Sequence, residues 1–123
     1  MRIIINSSSM VPIYEQIVDQ IKTLIRNGEL KESDNLPSVR VLSKELKISA
    51  LTVKKAYDSL EEDGFTVTVH GKGTYVTAVN RQLLLEEQKK DLEAELEAAV
   101  GKGRRYGISD EDIRILFEMI LED

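Results

Sequence analysis

The sequence contains no cysteine and no tryptophan, and it has only two prolines and one histidine among 123 residues. The absence of cysteine excludes disulfides, thiolate metal ligands and cysteine nucleophiles. No apolar run approaches the roughly 20 residues that a membrane-spanning helix needs. The isoleucines at residues 3–5 form too short a segment for a signal peptide. We therefore expect a soluble, cytoplasmic protein with no membrane partner.

The sequence also lacks the residue groups that catalysis requires. His70 is the single histidine, and no cluster of residues has the spacing of a metal site. Gly71 and Gly73 do not form a nucleotide-binding fingerprint, because no helix follows them. The carboxylates are scattered at the ordinary spacing of solvent-facing helix positions. We therefore expect no enzymatic activity, no cofactor and no metal.

The net charge of −5 is distributed unevenly along the chain. Residues 1–80 hold ten basic and ten acidic residues, whereas residues 81–123 hold seven basic and twelve acidic residues. Residues 36–57 contain one acid, Glu45, and five basic residues: Arg40, Lys44, Lys47, Lys54 and Lys55. Screening limits the reach of remote acids to about 8–10 Å. This segment is therefore suited to face a polyanion even though the whole chain is acidic.

Residues 11–63 contain the pattern of a helix-turn-helix. Apolar residues at helical spacing predict a first helix over residues 11–27, with Pro12 at its start. Ser38 is a natural N-cap for a short helix that ends near Leu46, and Ser49 is the N-cap of another helix over residues 50–63. Two short helices joined by a tight turn and packed on a longer preceding helix are typical of this motif.

The residues that follow predict a β-hairpin. Residues 65–69 alternate and are rich in β-branched side chains, residues 70–73 are turn-forming, and residues 74–77 provide the return strand. A hairpin placed directly after a helix-turn-helix is a wing.

The remaining residues predict a helical tail. A charged helix begins at residue 80, and the heptad spacing of Leu85, Leu92 and Ala99 suggests packing against a partner helix. We expect this helix to continue to about Tyr106, although its glycines weaken its last turns. Ser109 then opens a final helix. The predicted dimer contacts are Leu85, Leu92, Leu96, Ala99, Ile113, Leu116, Phe117 and Ile120.

Four segments, in this order, resemble the GntR family of bacterial regulators. They are residues 12–17 (PIYEQI), 36–40 (LPSVR), 52–57 (TVKKAY) and 71–76 (GKGTYV). The resemblance covers about the first two-thirds of the chain, and the short two-helix tail is similar to that of the YtrA subfamily. It implies a winged helix-turn-helix domain over residues 1–78 and a dimerisation tail over residues 79–123. It also implies a homodimeric repressor of transcription, often of ABC transporter genes, which binds double-stranded DNA at an inverted repeat.

The resemblance and the position of the charges together give a set of candidate DNA contacts. The first turn of the second helix in the motif points at base edges in the major groove, and a glycine-rich wing tip approaches the minor groove. For Tyr57, packing and phosphate contact are equally open. The candidates are Ser38, Arg40, Ser49, Thr52, Lys54, Lys55, Tyr57, His70, Gly71, Lys72 and Gly73.

The chain departs from the family pattern at two reading positions. Many members carry arginine where this chain has Ala50, and a polar residue where it has Leu51. Because arginine paired with guanine is the commonest specific contact, the operator of a relative cannot be transferred to this chain. Ala50 or Leu51 is then a candidate for contact with a thymine methyl, or Arg40 carries more of the readout.

Two alternatives follow from the same residues. The overall acidity, with Ala50 and Leu51 in place of polar readers, is also compatible with a winged-helix protein-interaction module that does not bind DNA. We do not expect a fragment of an aminotransferase-like fusion, because the chain ends long before such a domain and no lysine lies in a recognisable cofactor setting. The sequence identifies no small-molecule effector, and the tail is small for an enclosed pocket of the usual ~300 Å³ or more.

Overall fold

The computed structural model describes all 123 residues, from Met1 to Asp123. It contains five α-helices and a two-stranded antiparallel sheet, which confirms the predicted class of a mainly α protein with a small hairpin. The elements are α1 (Ile13–Arg26), α2 (Val39–Leu46), α3 (Ala50–Glu62), β1 (Thr66–Val69), β2 (Gly73–Val76), α4 (Arg81–Arg105) and α5 (Asp110–Glu122). None of the helices combines the length and the hydropathy of a membrane span.

The chain divides into two compact units, Met1–Leu84 and Leu85–Asp123. The sequence places the domain boundary after residue 78, before α4 begins. In the structure the first turn of α4 belongs to the first unit, because Leu84 is buried with the core of that unit.

Helix α1 supplies one wall of the core of the first unit. Its stripe of Ile17, Val18, Ile21 and Ile25 is buried because these residues recur at the spacing of one helical face. The helix is slightly shorter than the predicted 11–27, because Pro12 is extended (φ −54°, ψ 145°) and precedes the first turn. The other buried core residues are Ile3, Leu36, Leu42, Val53, Ala56, Tyr57, Leu60, Phe65, Val76 and Leu84.

Helices α2 and α3 begin at the predicted caps. The Ser38 hydroxyl accepts a hydrogen bond from the Val41 N–H at 3.1 Å, and the Ser49 hydroxyl accepts one from the Thr52 N–H at 3.1 Å. Each bond satisfies a backbone donor that the first helical turn leaves free. Lys47 takes a left-handed conformation (φ 56°) between the two helices, which makes the turn tight.

The hairpin packs its base against the core and leaves its outer half exposed. Thr66 pairs with Val76 at the base, and both are buried. The strands differ from the predicted 65–69 and 74–77 by one residue, since Phe65 packs in the core before β1 and Gly73 already belongs to β2. Asn35 bridges to Tyr75, so the segment before α2 lies beside β2.

The first six residues are held against α1 by two glutamines. The Gln20 side chain accepts from the Ile4 N–H at 2.8 Å and donates to the Ile4 carbonyl at 2.7 Å. The Gln16 side chain makes the same pair of bonds with Asn6, at 2.8 and 3.0 Å. These bonds place Ile3 in the core, a role that the sequence did not predict.

The second unit is a pair of helices joined by a short turn. Helix α4 continues through Gly101 and Gly103 to Arg105, as expected. Gly107 (φ 80°) makes the turn, and the Ser109 hydroxyl accepts from the Asp112 N–H at 3.1 Å, which begins α5. No residue between Leu85 and Asp123 is buried.

Candidate DNA interface

The first turn of α3 presents a short polar and apolar surface to solvent. The hydroxyl oxygens of Ser49 and Thr52 lie 2.8 Å apart in a hydrogen bond. Because the Ser49 hydroxyl also caps the helix, both side chains are held in place before any ligand arrives. Between them Ala50 is exposed and Leu51 is 78% exposed, so an apolar side chain projects from the turn that the sequence predicts to read bases.

Lys54 follows one turn later and forms an ion pair on the helix surface. Its ammonium lies 2.8 Å from the carboxylate of Asp58, and both side chains are more than half exposed. The hydrogen bond and the charge of Asp58 raise the pKa of Lys54 above its usual value. Lys54 is therefore positively charged at neutral pH, and Asp58 restrains it.

Lys55 is exposed but is already engaged by an aromatic ring. Its ammonium lies 4.0 Å from the centre of the Tyr14 ring, in a cation–π contact with α1. Because an exposed contact of this kind is worth only about 0.5–1 kcal/mol, Lys55 can leave the ring to contact a phosphate.

Tyr57 is a core residue, which corrects its inclusion among the candidate DNA contacts. It is only 5% exposed, and its hydroxyl donates to the Pro37 carbonyl at 2.7 Å. Burial, and then the charge of Glu45, raise the pKa of this hydroxyl above its usual value. The side chain joins α3 to the residue before the α2 cap and has no free group to offer a phosphate.

The start of α2 offers an exposed cation. Ser38 is exposed, with its hydroxyl used as the N-cap. Arg40 is exposed and forms no ion pair within the chain. The Arg40 carbonyl accepts a hydrogen bond from the Ser43 hydroxyl at 2.9 Å. Because the Arg40 guanidinium is exposed and pairs with no carboxylate of the chain, it is available for a phosphate or a guanine.

The wing tip consists of His70, Gly71 and Lys72, all exposed. The turn closes with a 2.9 Å hydrogen bond from the Lys72 N–H to the Val69 carbonyl, and Gly71 has a φ of 78° that favours glycine. Gly73 is half-buried in β2, and a Cβ there would lie 3.0 Å from the Asn35 side-chain oxygen. Close packing against Asn35, together with a φ of 125°, accounts for this glycine.

The second unit carries the predicted dimer contacts. Leu85, Ile113 and Phe117 are half-buried. The other five are exposed: Leu92, Leu96, Ala99, Leu116 and Ile120. An apolar groove of about 260 Å³ lies between α4 and α5, and we call it the tail groove. Five of the predicted contacts line it: Ala99, Ile113, Leu116, Phe117 and Ile120.

Three residues near the predicted contacts were missed from the sequence. Asp58 pairs with Lys54, Glu61 accepts a hydrogen bond from the wing, and Asn35 packs on Gly73. The i,i+4 spacing of Lys54 and Asp58 was a signal that could have identified the first. No local pattern indicates the other two, because each joins separate elements.

Three helices with a tight α2–α3 turn, followed by a hairpin with an exposed tip, define a winged helix-turn-helix. This fold is typical of DNA-binding transcriptional regulators. Residues 13–76 match the profile of the family described as "Bacterial regulatory proteins, gntR family". The chain belongs to this family, whose members are regulators and not enzymes.

One relative is similar in sequence over almost the whole chain. The HTH-type transcriptional repressor YtrA of Bacillus subtilis is 34% identical over 97% of this chain and 92% of its own length. The resemblance to the GntR family and its YtrA-type members is therefore confirmed.

Solved structures extend the likeness to three dimensions. A Listeria monocytogenes protein described as a transcriptional antiterminator is 30% identical, with a TM-score of 0.71 over 98% of this chain and 90% of its own. The DNA-binding domain of AraR, crystallised in complex with operator ORX1, is 26% identical. Its TM-score is 0.55 over 63% of this chain and 96% of its own.

Proposed function

We propose that this chain is a homodimeric transcriptional repressor that binds double-stranded DNA at an inverted repeat in the bacterial cytoplasm. The observation that carries the proposal is the exposed first turn of α3 beside a winged hairpin, within the segment that matches the family. The YtrA relative is described as a repressor, and the AraR domain was crystallised with an operator.

In this proposal the exposed cations bind the DNA backbone and the first turn of α3 reads bases. Arg40 and Lys54 contact phosphates, or a guanine in the case of Arg40, because a guanidinium pairs with phosphate and guanine alike. Ser49 and Thr52 offer hydroxyls to base edges. The backbone at His70 and Gly71 approaches the minor groove, which glycine allows.

We expect Leu51 to determine which base the first turn of α3 prefers. It is 78% exposed and lies between the two hydroxyl residues of the turn. An apolar side chain in the major groove discriminates by contact with the methyl group of thymine. We therefore expect a thymine in the half-site at the base pair that Leu51 contacts.

The composition of α5 supports a dimer through the tail. At about 100° per residue, its apolar side chains cover an arc of about 240° around the helix, more than one neighbouring helix can bury. In the free chain Leu116 is 50% exposed and Ile120 is 68% exposed. A second copy with the same tail is the occupant that family membership favours, and two-fold symmetry then pairs two half-sites.

The dimer is tested by sedimentation of the full chain and two variants. Leu116→Lys places a charge in the tail groove, and we expect it to give a monomer. Leu83→Lys is the control, since Leu83 is also exposed (61%) but lies on the opposite side of α4 from Leu92 by helical spacing. A Leu116→Lys protein that remains as large as the parent would place the interface elsewhere.

Target recognition is tested by selecting duplexes from a random-sequence pool with the purified protein. We expect an enriched inverted repeat with a thymine opposite Leu51. Matches in the genome then identify the regulated genes, which for the YtrA-type tail we propose to include ABC transporter genes. An enriched direct repeat or a single half-site would contradict the symmetric mode of binding.

A second candidate function is a protein-interaction module without DNA binding. The exposure of Leu51 favours it, because an apolar side chain at the start of an exposed helix also suits a protein partner. The two candidates differ in salt dependence. DNA binding weakens steeply as salt rises, because phosphate contacts release counterions, whereas the interaction module shows no duplex affinity even at low salt.

A further inference from the structure

The outer half of the wing has few attachments to the rest of the first unit. At the base Thr66 and Val76 are buried, whereas Thr68 and Val69 are exposed. A two-stranded hairpin is marginally stable without further support. The direction in which the wing tip points therefore depends on the hydrogen bonds that hold this outer half.

One of these bonds comes from the end of α3. The side chain of Glu61, in the last turn of α3, accepts a hydrogen bond from the Thr68 N–H at 2.8 Å. Thr68 lies on β1, whose outer edge has no neighbouring strand. The carboxylate satisfies a backbone donor that the edge of the sheet would otherwise leave to water.

The opposite edge of the hairpin is held at the same level. Thr74 is the cross-strand partner of Thr68, and their hydroxyl oxygens lie 3.3 Å apart. The Thr74 carbonyl accepts from the Leu36 N–H at 2.8 Å. Hydrogen bonds therefore hold both edges of the wing at this pair of residues. Glu61 of α3 bonds one edge, and Leu36 of the segment before α2 bonds the other.

We propose that Glu61 is a positioning residue, which sets the direction of the wing relative to α3 so that both reach the DNA together. The inference rests on the proposed function. It also accounts for an acidic residue seven positions after Lys54 on the helix that faces phosphates, where a carboxylate by itself opposes binding. The wing needs a hydrogen-bond acceptor at this position, but it does not need the negative charge of Glu61.

Two substitutions separate the acceptor from the charge. Glu61→Gln keeps a side-chain oxygen that accepts from the Thr68 N–H, whereas Glu61→Ala removes it, and both lose the same negative charge. Long-range electrostatics therefore cancel when the two variants are compared with each other. The binding constant of each is measured on the selected duplex by fluorescence anisotropy, and amide exchange of Thr68 is followed by NMR.

We expect Glu61→Ala to bind the duplex about three- to tenfold more weakly than Glu61→Gln, which is the range of one net hydrogen bond. The Thr68 amide should exchange faster in Glu61→Ala than in Glu61→Gln. When His70 and Lys72 are both replaced by alanine, the affinity difference between the two variants should shrink, because the side-chain contacts of the wing tip that Glu61 positions are lost while its backbone remains.

Equal affinity of Glu61→Ala and Glu61→Gln would overturn the inference, whatever the Thr68 exchange shows. An undiminished difference in the His70→Ala/Lys72→Ala background would also overturn it, since Glu61 would then act by a route that does not involve the wing tip. Failure of the proposed function is recognised separately, because the parent chain would then show no salt-dependent duplex affinity.

Discussion

The Tyr57 hydroxyl donates a 2.7 Å hydrogen bond to the Pro37 carbonyl, and this bond joins α3 to the residue before the α2 cap. Tyr57→Phe removes only the hydroxyl. We expect a loss of about 1–2 kcal/mol in the free energy of unfolding, because the carbonyl loses its partner. Duplex affinity of the folded protein should not change.

The control is Tyr75→Phe, which removes a longer bond of 3.2 Å to the exposed Lys72 carbonyl and should cost less. Chemical denaturation measures the stability of both variants. A Tyr57→Phe protein of unchanged stability but weakened DNA binding would restore Tyr57 as a phosphate contact.

Asp58 restrains and partly neutralises a cation that we assign to the DNA. Asp58→Asn removes the ion pair with Lys54 and a negative charge from α3, so we expect tighter duplex binding by no more than about fivefold. Stability should change little, because both side chains are exposed. Anisotropy titrations compare this variant with Asp91→Asn, an exposed acid of the second unit. Weaker binding by Asp58→Asn would show instead that the pair aims Lys54 at its phosphate.

The two glycines of α4 differ in their surroundings. A Cβ at Gly101 meets only the Arg105 guanidinium at 3.7 Å, whereas a Cβ at Gly103 meets the Ile113 Cδ1 at 3.1 Å. Gly101→Ala should therefore stabilise the helix by up to about 1 kcal/mol, and Gly103→Ala should gain less. Thermal unfolding measures the stability of both variants. In an Ile113→Val background, which lacks the Cδ1 methyl group, the stabilisation by Gly103→Ala should come closer to that by Gly101→Ala. Equal stabilisation by Gly101→Ala and Gly103→Ala in the parent would show that α5 moves away from the added Cβ at little cost.

The turn between α4 and α5 contains a pH-sensitive ion pair. The Arg104 guanidinium donates to Asp110 at 3.1 and 3.3 Å, and these bonds, with the charge of Arg104, lower the pKa of Asp110 below its usual value. Because the folded pKa is depressed, the pair stabilises the fold above about pH 4. That contribution is lost as pH falls through the folded pKa.

NMR titration of the Asp110 carboxyl should show this depression, and Arg104→Gln should return the pKa toward its ordinary value. A carboxyl that titrates identically in parent and variant would contradict the ion pair.

Local signals predicted the fold well, since most elements are encoded in short stretches. Ser38, Ser49 and Ser109 each cap the helix that was predicted, and the course of α4 through its glycines was anticipated. What the sequence did not give are contacts between distant segments. The bonds of Gln20 to Ile4 and of Glu61 to Thr68 join residues that no periodicity relates. Tyr57 was equally compatible with core and surface until its hydroxyl partner was known.

The central claim is that the face containing Arg40 and Lys54 binds DNA. The most direct measurement is the affinity of the parent, Arg40→Ala and Lys54→Ala for the selected duplex at several salt concentrations. Arg114→Ala, which removes one exposed positive charge from α5, is the control.

We expect a steep loss of parental affinity as salt rises, and a slope shallower by about one for each alanine variant of this face that loses a phosphate contact. Arg114→Ala should retain the parental slope. Identical affinities and slopes for Arg40→Ala, Lys54→Ala and the parent would contradict the assignment of this face to DNA.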